Sequence, residues 1–319
     1  MAGLLRIGLI GTVLVAIIVS GIACAGDEDI SSIKFGVLPV VDTLPLLVAD
    51  DEGFFEQENI DIEIIPFNSA LERDAALQAG EINGYFADPL SAILMIDTDV
   101  DISMITVAYR ANPEDRMFAI VASPESGFTE LSQLKGVEVG ISSATIIEYL
   151  LDNILAEHGF GEDDVKKLEV KQIPIRLQML LSSEIEAALL PEPLVTLAES
   201  EGAKVLTDDR TLDTTLTILA LDNSIMNDNR SLKERFLRAY GTAVDAINEN
   251  PDGYRELLVA NTRIPPEIED EYVIPSFPLP DVPPEKDLAE VQDWLVQNGL
   301  IQEAIPYEEV VALSSSSSH

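Results

Sequence analysis

Five places in the sequence set a short polar or acidic side chain directly in front of a run with helical character. They are Asp42-Thr43, with Pro45 close behind; Ser69, three residues before Glu72; Asp88, followed at once by Pro89; Ser142-Ser143, leading into Thr145 and Glu148; and Glu192, held between Pro191 and Pro193. Each pattern is a helix-start signal. A helix N-terminus exposes backbone N–H groups and a partial positive charge, so it can hold a carboxylate, sulfonate or phosphate without a lysine. The same residues serve equally as plain caps, and singly each reads that way first. Their shared place, where a strand hands over to a helix, is what makes them a set.

Glu192 is the sharpest of these, because flanking prolines restrict the backbone and fix the direction of the carboxylate. It can accept hydrogen bonds from a ligand amine or amide, or cap its own helix or pair with Arg176. Tyr109 offers a ring for stacking on a flat ligand, or a lid for the core with its hydroxyl in water. Basic residues are scarce, 19 against 57 acidic ones. Arg110 and Arg116 are therefore expected to pair with carboxylates, while Arg176 remains open as a bidentate grip on an anion. Asp42, Asp88 and Glu192 together lean the site toward a neutral or cationic nutrient.

Other chemistries lack their residues. The run Asp97-Thr98-Asp99-Val100-Asp101 has Ile102 where a calcium loop needs glycine and Ala108 where it needs glutamate. One cysteine and two histidines, His158 and His319, build neither a zinc site nor a nucleophile with its base. Neither a metal nor a cofactor is expected. A net charge of −38 repels nucleic acid and anionic lipid.

The elements that position these residues alternate. Ile33–Leu38 reads as a strand, Leu44–Asp51 as a helix, Ile60–Ile65 as a strand, then come a helix over 70–79, a strand over 82–87, a helix over 89–96 and a strand over 102–108. A second unit of the same kind runs from Met117 to Leu206. The run Thr215–Leu221 can return the chain to the first unit, and later segments read as helices. The fold class is therefore α/β: two lobes, each a mostly parallel sheet flanked by helices, with a ligand cleft between them. We expect lobe 1 at 33–116 and 217–310 and lobe 2 at 117–216. Pro275–Pro284 should be an extended surface segment, and 311–319 a disordered tail.

Arg6, the apolar run Ile7–Val19 and the small residues before Cys24 read as an export signal over 1–23, with an uncleaved membrane anchor as the alternative. Cys24 is then best explained as a lipid attachment point, and 24–32 as a tether. The segment resembles a bacterial lipobox, with Gly21 where a larger aliphatic residue is usual.

The ordered series Ile33-Lys34-Phe35-Gly36-Val37-Leu38-Pro39, Leu46 to Phe55 with its Gly53-Phe54-Phe55 turn, Leu77 to Gly84, Leu131 to Gly136, Arg176 to Leu180 and Ala187 to Pro193 resembles the solute-binding proteins of ABC transporters for nitrate, sulfonates, taurine and thiamine precursors. The resemblance implies a periplasmic-binding-protein fold, closure on a small molecule, delivery to a membrane permease and no catalysis. It makes the chain an extracytoplasmic, monomeric lipoprotein with neither nucleic acid nor cofactor as partner. Contact candidates on that reading are Asp42, Thr43, Ser69, Asp88, Tyr109, Ser142, Ser143, Thr145, Arg176 and Glu192. The alternatives are an enzyme on the same fold acting on a thiamine- or menaquinone-type precursor, and a ligand-sensing domain.

Overall fold

The computed structural model describes residues 31–262, 264, 268–270 and 272–313. The export signal, Cys24, the tether up to residue 30 and Ser314–His319 lie outside the described residues. Strands and helices follow in the order β1 Ser31–Val37, α1 Leu44–Asp51, α2 Phe54–Gln57, β2 Ile60–Pro66, α3 Ala70–Gln78, β3 Gly84–Ala87, α4 Pro89–Asp97 and β4 Ile102–Arg110. Next come β5 Phe118–Ala122, β6 Glu138–Ile141, α5 Ile146–Glu157, β7 Lys166–Glu169, α6 Ile173–Leu181, β8 Ala187–Pro191, α7 Leu194–Ser200 and β9 Lys204–Asp208. The chain ends with β10 Thr215–Asp222, α8 Asn223–Asp228, α9 Leu232–Glu249, α10 Arg255–Thr262, α11 Glu285–Gln297 and α12 Tyr307–Val310.

Two five-stranded sheets result, in the orders β2-β1-β3-β10-β4 and β7-β6-β8-β5-β9. Both have one design. A parallel trio, β2-β1-β3 or β7-β6-β8, is extended by a strand running the other way, β10 or β5, which also pairs antiparallel with the last strand. The sheets are therefore mixed, and four of the five strands in each run the same way, as mostly parallel sheets require. The strands that carry the chain between sheets, β5 and β10, arrive from the opposite direction and cannot join in parallel.

Burial explains the sequence patterns. Every residue of β4 except Arg110 is buried, as its continuous apolar run requires. On α9 the residues Leu232, Phe236, Ala239, Tyr240, Ala243, Val244 and Ile247 make the inward stripe of a 3.6-residue period, and Phe236 stacks on Phe35 at 5.7 Å and meets Phe55 at 5.0 Å.

Three expectations need correcting. The segment 275–284 is extended, but Pro275, Phe277 and Pro283 are buried, because it covers β4 at the sheet edge: the Val107 N–H donates to the Asp281 carbonyl at 2.7 Å. The ordered chain also continues past 310. Val311 bridges to Met104, both are buried, and the Ala312 N–H donates to the Met104 carbonyl at 2.9 Å. At the other end β1 already begins at Ser31, inside the expected tether.

Candidate functional site

A cavity of about 50 Å³, partly open to solvent, lies between the two sheets and takes its walls from both. Asp42 reaches it from the turn after β1, Asp88 from the turn after β3, Ser142 and Thr145 from the turn after β6, and Glu192 from the turn after β8. These are carboxyl ends of parallel strands, where open α/β sheets present their binding crevice. Arg176, on α6, joins them. The remaining wall is mostly apolar, with Leu38, Val40 and Phe86 on one side and Met117, Phe118, Ile146, Ile147 and Ile173 on the other.

Most of the polar groups are already engaged. Asp88 caps α4, accepting from the Ser91 N–H at 2.7 Å and the Ser91 hydroxyl at 2.9 Å. Thr145 caps α5, accepting from the Ile147 N–H at 3.3 Å and donating to the Ser142 carbonyl at 2.7 Å. One oxygen of Glu192 accepts from the N–H and hydroxyl of Thr196 at 3.1 and 2.9 Å, and the other pairs with Arg116 at 2.6 Å. So Glu192 both caps its helix and forms an ion pair, with Arg116 as the partner instead of Arg176.

Asp42 is 3% exposed and has one side-chain donor, the Thr217 hydroxyl at 2.6 Å. Burial pushes its pKa up to about 6, against the lowering effect of that bond. Burial also raises the pKa of Asp88, with Arg73 and Ser91 opposing, and that of Glu192, with Arg116 and Thr196 opposing. Arg176 is fully buried; its Nη1 donates to the Val170 carbonyl at 2.8 Å, while Nε and Nη2 have no hydrogen-bond partner among the described residues. Burial lowers its pKa to about 10, opposed by the charge of Glu169.

Four candidates lie elsewhere. Thr43 turns back to the Val40 carbonyl at 2.7 Å, and Ser69 caps α3 by accepting from the Glu72 N–H at 3.2 Å. Ser143 is exposed and bonds Glu169. Tyr109 is 1% exposed, edge-on to Phe277 at 5.9 Å, with its hydroxyl accepting from Asn112 Nδ2 at 3.1 Å. It belongs to the core, because the segment after residue 272 folds over the end of β4.

Sequence reasoning missed Arg73, Thr217 and Lys171, which also line the cavity, and its apolar walls. Thr217 and Phe118 stand near the starts of β10 and β5, and a strand running against the trio offers its first residues to the crevice instead of its last. Spacing alone gave no signal for that. Next to the lining residues Ala70, Lys171 and Ile173, Gln172 Nε2 donates to Glu72 Oε1 at 3.3 Å and the Ile173 N–H to the Asn68 carbonyl at 3.4 Å. These bonds join the start of α6 to the start of α3 and so link the two halves.

Known proteins share this architecture. A protein of Brachyspira hyodysenteriae named as an ABC transporter periplasmic binding protein is 23% identical over 72% of this chain and 69% of its own. The alkanesulfonate-binding protein SsuA from Xanthomonas axonopodis pv. citri, bound to MOPS, superimposes with a TM-score of 0.77 at 16% identity, covering 90% of this chain and 99% of that one. The desulfurization enzyme DSZB does so with a TM-score of 0.66 at 15% identity, covering 88% and 96%. These likenesses identify the fold as that of the periplasmic binding proteins. The family model described as NMT1/THI5 like matches residues 41–254, a span that includes every group named above as lining the cavity except Leu38 and Val40, and the chain belongs to that family.

Proposed function

We propose that the protein is the extracytoplasmic solute-binding component of an ABC-type importer, anchored by a lipid on Cys24, that closes two lobes over a small nutrient and delivers it to a membrane permease. The observation that carries this reading is the cavity walled by both sheets, with the bonds from Gln172 to Glu72 and from Ile173 to Asn68 joining the two halves beside it. Such a site exists only when the halves meet, so ligand and closure are coupled. Lobe 1 is built on the sheet β2-β1-β3-β10-β4 and lobe 2 on the sheet β7-β6-β8-β5-β9. The name of the Brachyspira relative and the family membership support the transport role; the export signal supports the location.

DSZB supports the rival reading, catalysis on the same scaffold. The decisive experiment is small-angle scattering on the full chain with a panel of sulfonates, carboxylates, vitamin precursors and amines, alongside turnover assays of the same compounds. Contraction of the particle by a compound that is recovered unchanged is the expected result. A particle of constant size with every compound, or conversion of one of them, sinks the proposal. Lipid attachment is checked separately by incorporation of a labelled fatty acid in a bacterial host, which Cys24→Ala should abolish.

A further inference from the structure

Arg73 and Arg176 occupy the same place in the two halves of the molecule. Each packs its side chain over a glycine of the central strand of its parallel trio. A Cβ added to Gly36 would meet Ile82 Cδ1 at 2.5 Å and Arg73 Cγ at 3.4 Å; one added to Gly140 would meet Ile185 Cδ1 at 2.7 Å and Arg176 Cγ at 3.4 Å. Both arginines are buried, and both line the cavity.

Their hydrogen bonds differ. Arg73 donates to the Phe86 carbonyl at 2.7 Å, to Asp74 from Nε and Nη2 at 3.1 and 2.8 Å, and to the Tyr85 hydroxyl at 3.1 Å. In the second half Leu177 follows the arginine where Asp74 follows Arg73, and Ala188 pairs with Gly140 where Tyr85 pairs with Gly36. The partners are missing while the cation is kept. Arg176 therefore holds one backbone carbonyl and leaves Nε and Nη2 unpaired and buried. Glu169, the acid whose charge it feels, already accepts from the Ser143 N–H at 2.9 Å and from the Ser143 hydroxyl. Buried polar groups in folded proteins are almost always satisfied, and an unpaired buried charge is costly.

We infer that Arg176 is the seat for the anionic oxygen head of a small organic acid, a carboxylate or sulfonate carried on a short apolar body; this rests on the clamp reading above. Two free N–H groups of one guanidinium match two oxygens of such a head. The body packs against Phe86, Met117, Phe118, Ile146 and Ile147. The acids of the cavity do not compete for the arginine, because Asp88 closes on Ser91, Glu192 on Arg116 and Thr196, and Asp42 on Thr217. The lean toward a neutral or cationic nutrient counted those acids as available.

The test is titration calorimetry on the full chain with butanesulfonate, butanoate, butylammonium and 1-butanol, with scattering in parallel. The two anions should bind and the other two should not. Arg176→Met should weaken anion binding by about 100-fold and Arg176→Lys by about tenfold. Without any probe, Arg176→Met should melt at or above the wild type, since it removes an unpaired buried charge, whereas Arg73→Met should melt lower. Butylammonium or butanol binding as tightly as the anions, no probe binding at all, or unchanged anion affinity in Arg176→Met overturns the assignment. So does an Arg176→Met protein that melts well below the wild type, and if that variant fails to fold, Arg176→Lys and the charge series decide. Anion binding without contraction would leave the seat and discard the clamp; contraction by a neutral or cationic probe would do the reverse.

Discussion

Asp42 couples the site to pH. Its unfolded value of 3.8 rises to about 6 because burial penalises the carboxylate more than the Thr217 hydroxyl stabilises it. The native state therefore binds the proton more tightly than the unfolded state. The stability contributed by that proton is complete below 3.8 and is lost as pH rises through about 6. Asp209, buried beside the crossover at Met117, has its pKa pushed up to about 6 by burial and adds to the same trend. Urea unfolding should find Asp42→Asn about as stable as the wild type near pH ~4 and more stable by about 2 kcal/mol near pH ~8. A difference that does not change with pH would refute the burial argument. At this scale the sequence was readable where partners are local: Asp88 and Thr145 cap their helices within three residues, as their spacing says. Tyr109 was not readable, since what covers it arrives from beyond residue 270.

The elements were legible through their periods, and their directions were not. Alternation and helix-start residues locate strands and helices to within about three residues, but nothing local tells β5 or β10 that it will run against its neighbours. That single fact accounts for the mixed sheets and for Thr217 and Phe118 being overlooked at the cavity. Close approach between elements sets a further constraint at Gly84 on β3, where an added Cβ would stand 2.2 Å from the Phe35 ring of β1. Since Phe35 is itself stacked against Phe236 of α9, the ring has little room to retreat. Gly84→Ala should cost about 1–3 kcal/mol in chemical denaturation. Adding Phe35→Leu should recover part of that loss, although neither change touches the cavity. Equal destabilisation in the single and double variants would show that the ring is not the obstacle.

Charge acts on the molecule as a whole. With 57 acidic and 19 basic side chains, the compact state brings like charges within a Debye length of one another, and the unfolded chain relieves that repulsion. The melting temperature should therefore rise by several degrees, about 3–8, between low and ~1 M sodium chloride. Sorbitol at matched osmolality should give a smaller rise, and an equal rise in both would assign the effect to exclusion from the surface instead of screening. The two-lobed plan was visible in the sequence as a repeated unit and a returning strand. The link between the halves was not, because the bond from Gln172 to Glu72 joins polar residues with no shared pattern.

One contact between the halves would report the closure proposed above. Trp294 of α11 meets Tyr149 of α5 edge-on at 5.8 Å and donates its indole N–H to Asp152 at 3.1 Å, so a helix that packs on α4 of the first half touches the second. It is the sole tryptophan of the chain. Any pivoting of one half against the other changes the polarity and quenching around that indole, and the protein thereby carries its own optical gauge of opening, usable in stopped-flow without a dye.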